Sequence, residues 1–468
     1  MGQSGFSVFA EGTMEKTIAE RLGEFCESLS YDEIPEPVLA KAKELILDTI
    51  GICVGSSKID FGIAALRLIA GWGGLPESSL IGSRCMVPAQ NAAFANGVLG
   101  HGQDFDDTHT DSVVHPSACL VPVALALGES KGSSGKEILT AFVGGMEAMI
   151  RIGMPAHNRF HLRGFHTTSI CGTFGSVLVT ARLTGLDCRK MIEALGISGS
   201  FTSGLLECIP SGSGAKRLHA GWAGLCGVVA AEFASVDYTG PASVFEGRLG
   251  LYNSFLRGES LDFTEITKGL GTEWEILNVR PKLYPCCHYL QSYLDCMSYL
   301  RKQYRLCPED VAKIDCRVAQ GAVNIVCEPW ENKLPPKTGY DGRFSLPFAV
   351  SLMLSKGRAG VEEFSERYLE DVEIKELMRR VRYEVEPSFE VKDMPGWITL
   401  RLRNGEKVDH RINQVRGDAL HPIQREELFE KFQRNAVSLG REKSQRIGEQ
   451  ILGFEALRGI GDLMKELS

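Results

Sequence analysis

Carboxylate and imidazole side chains are concentrated in residues 100–116, whose sequence is GHGQDFDDTHTDSVVHP. This stretch holds three histidines and four aspartates, in a chain that has ten histidines in all. The apolar sequence SACLVPVALALGES follows directly, so the polar groups come just before a helix that must be buried. Helix capping would use only one or two of them. We therefore expect a functional site here, where acids and imidazoles could transfer protons.

Three further polar clusters interrupt apolar sequence, and they are RGFHTTS at 163–169, SGSGAKRLHAG at 211–221 and RPKLYPCCH at 280–288. Their lysines and arginines could bind carboxylates. Removing a proton next to a carboxylate builds negative charge, which ammonium and imidazolium groups can stabilise. A buried lysine could also have its pKa lowered enough to exchange protons. Together the clusters indicate proton transfer on a carboxylate substrate.

Each cluster also has a simpler interpretation. His166 could be an ordinary capping or core imidazole, and the lysines and arginines could be solvated surface charges. SGSGAK is not a P-loop, because Lys216 is followed by arginine and no strand precedes it. The glycines Gly97, Gly100 and Gly102 do not form a dinucleotide-binding GxGxxG. Aspartate and histidine are good metal ligands, but neither HExxH nor EF-hand spacing is present, so we expect no metal site.

The elements that must position these clusters are mostly helices. A chain of 468 residues predicts two domains. Ile34-Pro-Glu-Pro opens one helix, and Gly- or Ala-rich sequence downstream predicts closely packed, fully buried helices. Apolar spacing predicts further helices at 62–72, 88–99, 117–129, 136–152, 168–184, 189–204, 217–235 and 242–256.

After about residue 277 the pattern becomes mixed. Alternation at Ile314, Cys316 and Val318 predicts a strand, and residues 397–412 predict a hairpin with a type I′ turn at Asn404-Gly405. Helices are predicted at 288–304, 344–356, 423–437 and 442–466. The predicted fold is mainly α, with a large all-helical domain built from both chain ends (13–277 and 416–468), a smaller inserted α+β lid (278–415) and a loose tail at 1–12.

Composition excludes several classes of protein. The net charge is −8 and the basic residues are scattered, so no nucleic-acid partner is expected. No apolar run approaches the roughly 18 residues of a membrane span, and the N-terminus lacks the pattern of a signal peptide. Fourteen cysteines, many in apolar helical sequence, do not form a disulfide framework. We expect a cytoplasmic protein.

At these clusters the chain resembles the MmgE/PrpD family, over nearly its whole length. The shared motifs are LILDTIG at 45–51, DFDDT to HPS at 104–117, the FH and GTFG block at 165–175, K-x-x-H-x-G at 216–221 and KLYPCC at 282–287. The family includes 2-methylcitrate dehydratase, cis-aconitate decarboxylase and iminodisuccinate epimerase. The resemblance implies a helical domain with an inserted lid, an active site between them, no metal or organic cofactor, and a homodimer formed through the helical domain.

Carried over position by position, the resemblance to the decarboxylase branch marks six residues: Asp104, Thr108, His115, His166, Lys216 and Lys282. That branch has a pocket tyrosine further along the lid, whereas residues 320–323 of this chain contain none. The dehydratase branch has a longer insertion between DFxDT and HPS than this chain has. The chain therefore departs from both branches.

The resulting hypothesis is a cofactor-independent lyase, a dehydratase or decarboxylase, acting on a small di- or tricarboxylate. Lys216, Lys282 and Arg217 would bind carboxylates, and His166 or His115 would carry the proton. Asp104 would orient an imidazole and Thr108 would donate a hydrogen bond to substrate. Further candidates for substrate binding form a second set: His101, His219, Tyr284 and His288. The alternatives are an epimerase with His115 and His166 on opposite faces of the substrate, and a scaffold that binds carboxylates without turnover.

Overall fold

The computed structural model describes residues 16–468, so the predicted tail at 1–12 lies outside the described residues. The mainly α fold class is confirmed, since helices make up most of the described chain and the sheets are small. The described chain up to Thr267 contains α1 (Ile18–Ser28), α2 (Glu36–Ser56), α3 (Asp60–Trp72), α4 (Ala89–His101), α5 (Pro116–Lys131), α6 (Gly135–Gly153), α7 (Arg159–Leu162), α8 (Thr167–Leu183), α9 (Cys188–Ser198), α10 (Cys208–Ser211), α11 (His219–Ser235), α12 (Leu251–Phe255) and α13 (Thr264–Thr267).

Shorter helices dominate the remainder of the chain. They are α14 (Gln291–Gln303), α15 (Val323–Val326), α16 (Trp330–Lys333), α17 (Gly339–Gly342), α18 (Leu346–Lys356), α19 (Glu366–Leu369), α20 (Val372–Met378), α21 (Arg425–Asn435), α22 (Arg441–Leu452) and α23 (Gly461–Leu467).

Within residues 16–468 the strands form three small sheets. Strands β1 (Ser78–Ser79) and β2 (Met86–Val87) pair with each other, and so do β3 (Thr108–His109) and β4 (Val279–Arg280). A four-stranded sheet contains β5 (Val311–Val318), β6 (Val381–Val385), β7 (Gly396–Leu402) and β8 (Lys407–Ile412) in the order β6-β5-β7-β8. In that sheet β5 runs parallel to β6, and the other pairs are antiparallel.

The buried apolar side chains fall into two clusters. The larger one, here the helical core, spans positions 18–279 and 432–467 and so uses both ends of the chain. The smaller one, the lid core, spans positions 286–408 and packs α14 and α18 against the four-stranded sheet. This division is consistent with an inserted lid, and the predicted domain boundaries at 277/278 and 415/416 stay predictions.

Small residues allow the central helices to touch through their backbones. Where α4 crosses α11, a Cβ added to Gly97 would lie 2.6 Å from the Cα of Gly221, and one added to Gly221 would lie 2.3 Å from the carbonyl oxygen of Phe94. Real Cβ atoms do not approach other atoms this closely, so both positions require glycine. The prediction of closely packed helices is confirmed.

Several predicted helices differ from the structure at their ends. The helix predicted at 189–204 ends at Ser198 (α9), and the one predicted at 242–256 is only Leu251–Phe255 (α12). The helix predicted at 442–466 is divided into α22 and α23 by a short 3₁₀ turn, Phe454–Ala456. Glycines and polar residues within these windows interrupt the helices, so that α9 and α22 end early and α12 begins late.

The predicted hairpin is confirmed, but its turn type is wrong. Strands β7 and β8 pair from Gly396 opposite Ile412 to Arg401 opposite Lys407. Gly405 has a φ of +89°, and its N–H donates to the carbonyl of Leu402 at 3.0 Å. Asn404 is not among the residues with positive φ, as a type I′ turn would require. The connection is instead a type I turn followed by a glycine bulge.

Helix α6 contradicts the expectation that no segment is apolar enough to cross a membrane. By length and composition Gly135–Ala156 could do so, but its most apolar window is 94% buried within the protein. Glu147 accepts from the backbone N–H of Ile276 at 2.9 Å, and Arg151 donates to the carbonyl of Glu273 at 2.7 Å. Both contacts attach the segment before β4 to α6, as expected of a core helix.

We predict that Gly221→Ala lowers the free energy of unfolding by about 1–3 kcal/mol, the usual cost of overpacking a close helix contact. Gly71→Ala is the matched control, because Gly71 lies in α3 with no atom within 4 Å of an added Cβ. Urea unfolding of both variants measures the effect. Equal stability of the two variants would contradict the backbone contact between α4 and α11.

Candidate functional site

Four helix ends meet at the predicted site. Helix α4 ends at His101, His115 and His166 immediately precede α5 and α8, and His219 is the first residue of α11. The first turn of a helix has free N–H groups and a partial positive charge. Three helices therefore direct their positive ends toward one place, which favours bound anions.

Asp104 lies at the centre of the site between two lysines. Lys216 Nζ is 2.7 Å from Asp104 Oδ1, and Lys282 Nζ is 3.4 Å from Oδ2 and 3.0 Å from the backbone oxygen of Asp104. All three side chains are buried. Asp104 has a φ of +52°, a left-handed conformation that aspartate adopts more readily than most residues. Burial alone would raise the pKa of Asp104, but the two lysines hold it well below its usual range.

Two arginines add positive charge to the same place. Arg343 is buried and donates to the backbone oxygen of Gln103, while burial lowers its pKa to about 10. The guanidinium of Arg217 lies 4.5 Å from the ring of Phe61 and 4.1 Å from that of Tyr340. With the two lysines these groups outnumber the carboxylates of Asp104 and Asp106, so the site has an excess of positive charge that suits a small polycarboxylate.

The pairing of β3 with β4 brings the fourth polar cluster to the first. Thr108 lies opposite Arg280 in this two-stranded sheet, two residues before Lys282. Arg280 is fixed in turn by Asp418, with 2.5 Å between Nη2 and Oδ2. The sheet therefore determines where Lys282 lies relative to Asp104.

A chain of hydrogen bonds fixes the tautomer of His115. Its Nδ1 lies 2.7 Å from the carbonyl oxygen of Asp107, which can only accept, so Nδ1 carries the proton. Thr108 Oγ1 is 3.1 Å from the same Nδ1 and 2.9 Å from Nδ1 of His288, to which its hydroxyl can donate. Nε2 of neutral His115 is therefore left as a proton acceptor, and Nε2 of His288 carries a proton with no protein partner.

A second imidazole is oriented by a carboxylate. His101 Nδ1 is 2.7 Å from Asp106 Oδ2, and both side chains are fully buried. Burial alone would raise the pKa of Asp106, but His101 and His115 hold it far below its usual range. Nε2 of His101 is buried without a hydrogen-bond partner. Asp106 is thus the carboxylate in contact with this imidazole, whereas Asp104 contacts two lysines, and the orienting role predicted for Asp104 stays a prediction.

His166 lies among other imidazoles. Its ring centroid is 5.4 Å from that of His101, 6.0 Å from His115 and 5.1 Å from His219. Burial, strengthened by nearby Lys216, holds the pKa of His166 well below its usual value, and burial lowers that of His115 to about 3. Both rings are therefore neutral near pH 7, which is the form that accepts protons.

The structure brings together the six residues carried over from the resemblance, together with Arg217 and three of the further candidates, His101, His219 and His288. Tyr284 is the exception, because its hydroxyl donates to Asp295 in α14 at 2.8 Å. Proximity does not test what each residue does, so the catalytic and binding roles of all of them stay predictions.

Sequence reasoning missed several residues of the site: Asp106, His161, Tyr340 and Arg343. Tyr340 and Arg343 stand in GYDGRF, directly before the apolar helix α18. That is the signal that singled out the other clusters, and it could have found this one. Tyr340 is a lid tyrosine whose buried hydroxyl has no partner, although residues 320–323 contain no tyrosine.

Among residues 16–468, no group of three or more acidic, histidine or cysteine side chains is arranged to hold a metal ion. All fourteen cysteines are free thiols. Burial raises the pKa of Cys286 and of Cys287, the latter to about 11, so these two thiols are poor candidates for a reactive thiolate. The arrangement can bind carboxylates through lysine and arginine and move protons through neutral imidazoles.

Two family models match most of the sequence of this chain. Residues 20–264 match the MmgE/PrpD N-terminal domain, and residues 284–453 match the MmgE/PrpD C-terminal domain. The chain belongs to the MmgE/PrpD family, as the sequence motifs indicated.

Named relatives come from fungi and mammals. The chain is 25% identical to the cis-aconitate decarboxylase-like protein oryM of Aspergillus oryzae, with 98% of each chain covered. It is 23% identical to a cis-aconitate decarboxylase of Aspergillus terreus, with 98% of this chain and 97% of that one covered. It is 27% identical to the cis-aconitate decarboxylase of Homo sapiens, with 91% and 89% covered.

We predict that acid destabilises the protein through its buried histidines. Burial lowers the pKa of His161 to about 4 from an ordinary value of 6.5. Between these two values the unfolded chain binds a proton that the native ring does not, so the free energy of unfolding falls as pH falls, by up to about 1.4 kcal/mol per pH unit for one such group.

His161→Phe removes this contribution, so urea unfolding between pH 7 and pH 5 should show a shallower loss of stability than in the wild type. His157→Phe is the control, because His157 is exposed. The same slope in His161→Phe and the wild type would show that His161 does not titrate below its ordinary pKa.

Proposed function

We propose that the protein is a cofactor-independent lyase that acts on a small polycarboxylate by moving a proton at a carbon next to a carboxylate. The observation that carries this proposal is the convergence of Lys216, Lys282 and Arg343 on a buried loop beside neutral imidazoles. The first candidate reaction is decarboxylation of an unsaturated tricarboxylate such as cis-aconitate, because the named relatives are cis-aconitate decarboxylases or like them.

Lys216 and Lys282 would bind two substrate carboxylates, exchanging part of their contact with Asp104 for contact with the ligand. Asp104 holds both ammonium groups close together before substrate arrives. Burial would lower the pKa of Lys216, but Asp104 raises it above its ordinary value. The positive ends of α5, α8 and α11 add to the stabilisation of a bound anion.

In the proposed reaction one carboxyl group leaves as carbon dioxide, and the electron pair of the broken carbon–carbon bond passes into the conjugated system. The carbanion is delocalised into a neighbouring carboxylate, where the lysines stabilise the enediolate charge. An imidazole then adds one proton to carbon, so each turnover takes up one proton from solvent. His166 is one candidate, because its buried Nε2 has no hydrogen-bond partner in the protein. His115 is the other, but it must first take up a proton at Nε2, since its resting proton on Nδ1 is held by the backbone oxygen of Asp107.

Water elimination would pass through the same type of carbanion, and an epimerase would return the proton to its opposite face. Proton NMR of the purified protein in deuterium oxide, with citrate-, aconitate- and aspartate-like acids, separates these reactions. Decarboxylation gives carbon dioxide and one deuterium in the product, dehydration gives an alkene, and epimerisation gives deuterium exchange without net loss. The absence of both turnover and exchange with every acid would support a non-catalytic carboxylate-binding scaffold and contradict the proposal.

We predict that Lys282→Met and His115→Gln each lower kcat/KM roughly 100-fold or more, because the first removes a carboxylate ligand and the second a proton carrier. His157→Gln, at an exposed histidine, is the control and should change turnover less than threefold. Thermal unfolding checks that the variants fold. A well-folded His115→Gln variant with wild-type turnover would exclude His115 as a proton carrier.

A further inference from the structure

A direct contact joins His166 to a second histidine nearer the surface. Nδ1 of His166 and Nδ1 of His219 are 3.0 Å apart. Two ring nitrogens at this distance share one proton, so one ring donates and the other accepts. His166 is fully buried, and its other nitrogen, Nε2, has no hydrogen-bond partner in the protein. The Nε2 side of His166 is therefore free to interact with a bound substrate.

His219 has a different environment. It is only partly buried, and it lines a groove of about 520 Å³ on the outer side of the helical core. The walls of this groove come from α4, from residues 203–218 and from the first turn of α11, and include Phe94, Leu218 and Trp222. The pair of imidazoles therefore runs from this groove to the enclosed site.

Two other histidines of the site are hydrogen-bonded to groups other than a second imidazole. Nδ1 of His101 is hydrogen-bonded to the carboxylate of Asp106, and Nδ1 of His115 is hydrogen-bonded to the backbone oxygen of Asp107. Asp106 and Asp107 orient the two rings, but both residues are buried and so provide no contact with solvent. Among the described residues of the site, His219 is the histidine that both touches another imidazole and lines an external groove.

We propose that His219 relays protons between solvent in the groove and His166, a role that rests on the proposed function. A proton from water binds Nε2 of His219, the proton on its Nδ1 passes to Nδ1 of His166, and the proton on Nε2 of His166 passes to the substrate carbon. Each ring gains one N–H bond and loses one, so both end neutral. The net transfer is the one proton that decarboxylation consumes.

The pair then holds the opposite tautomers, with Nε2 of His166 as a base. After product release, water in the emptied site protonates this Nε2, the shared proton returns to His219, and Nε2 of His219 releases its proton to the groove. The groove therefore supplies the proton during the chemical step and regains it at the reset, and over a whole turnover the consumed proton is replaced by water in the emptied site. Burial, together with His101 and Lys216, lowers the pKa of His219 to about 4, so the ring is neutral at rest near pH 7. A neutral ring with one donor and one acceptor nitrogen is suited to transferring protons in either direction.

The test compares His219→Gln with His219→Ala. Glutamine keeps a polar group next to His166 but cannot accept and release a proton through two nitrogens. We expect His219→Gln to lower kcat roughly tenfold or more with less than a threefold change in KM. We also expect added imidazole to restore at least a third of the wild-type kcat in His219→Ala. His157→Gln with imidazole is the control.

Wild-type kcat in His219→Gln, or no rescue of His219→Ala by imidazole, would overturn the relay. The proposed function fails separately, if the wild type turns over no acid. In that case ¹⁵N NMR of the histidine rings still tests the relay, because it measures how fast the ring proton of His166 exchanges with water. Slower exchange in His219→Gln than in the wild type supports the relay, and unchanged exchange contradicts it.

Discussion

The ion pairs of Asp104 with Lys216 and Lys282 are the interaction on which the site depends. One lysine precedes α11 of the helical core, and the other follows β4, shortly before the first residue of the lid core. Burying three charged groups is costly unless they compensate one another, and removing one partner of a buried pair typically costs about 3–5 kcal/mol. The interaction therefore holds two distant parts of the chain together while it keeps two ammonium groups within reach of a ligand.

A second buried ion pair, between Lys431 and Asp48, contacts the loop that carries Asp104. Lys431 in α21 is 2.7 Å from Asp48 Oδ1 in α2, and it donates to the backbone oxygen of Phe105 at 2.9 Å. Lys431 Nζ also lies 3.8 Å from the centre of the Phe105 ring. The C-terminal part of the chain thus positions the residue next to Asp104. This contact gives a physical reason why both chain ends belong to the helical core.

The helices around the site combine two functions. Their small residues permit close backbone contact, as at Gly97 and Gly221, and this contact fixes where each helix begins or ends. Because His101, His115, His166 and His219 stand at such ends, the packing of apolar helices determines the distances between imidazoles. The helices that begin at His115, His166 and His219 also add a partial positive charge for an anion, so binding and proton transfer both follow from helix packing.

The sequence by itself determined the mainly α class, the helical and mixed regions, the family, and the polar clusters that meet at the site. These features depend on apolar period, glycine placement and short motifs, which are local properties of the chain. It predicted helix ends less well at 198 and 452, because apolar spacing continues past residues that end a helix. The Asn404-Gly405 turn was placed correctly but given the wrong type, since the bulge at Gly405 depends on strand pairing.

Only the tertiary structure determined which carboxylate contacts which side chain. Asp104 and Asp106 are two residues apart and chemically identical, yet one lies between lysines that come from positions 216 and 282, and the other orients His101. The contact of His166 with His219, the placement of Tyr340 and Arg343, and the separation of Tyr284 from the site likewise depend on contacts between distant segments. No local pattern encodes these distances, because they arise from how the helices and the lid pack together.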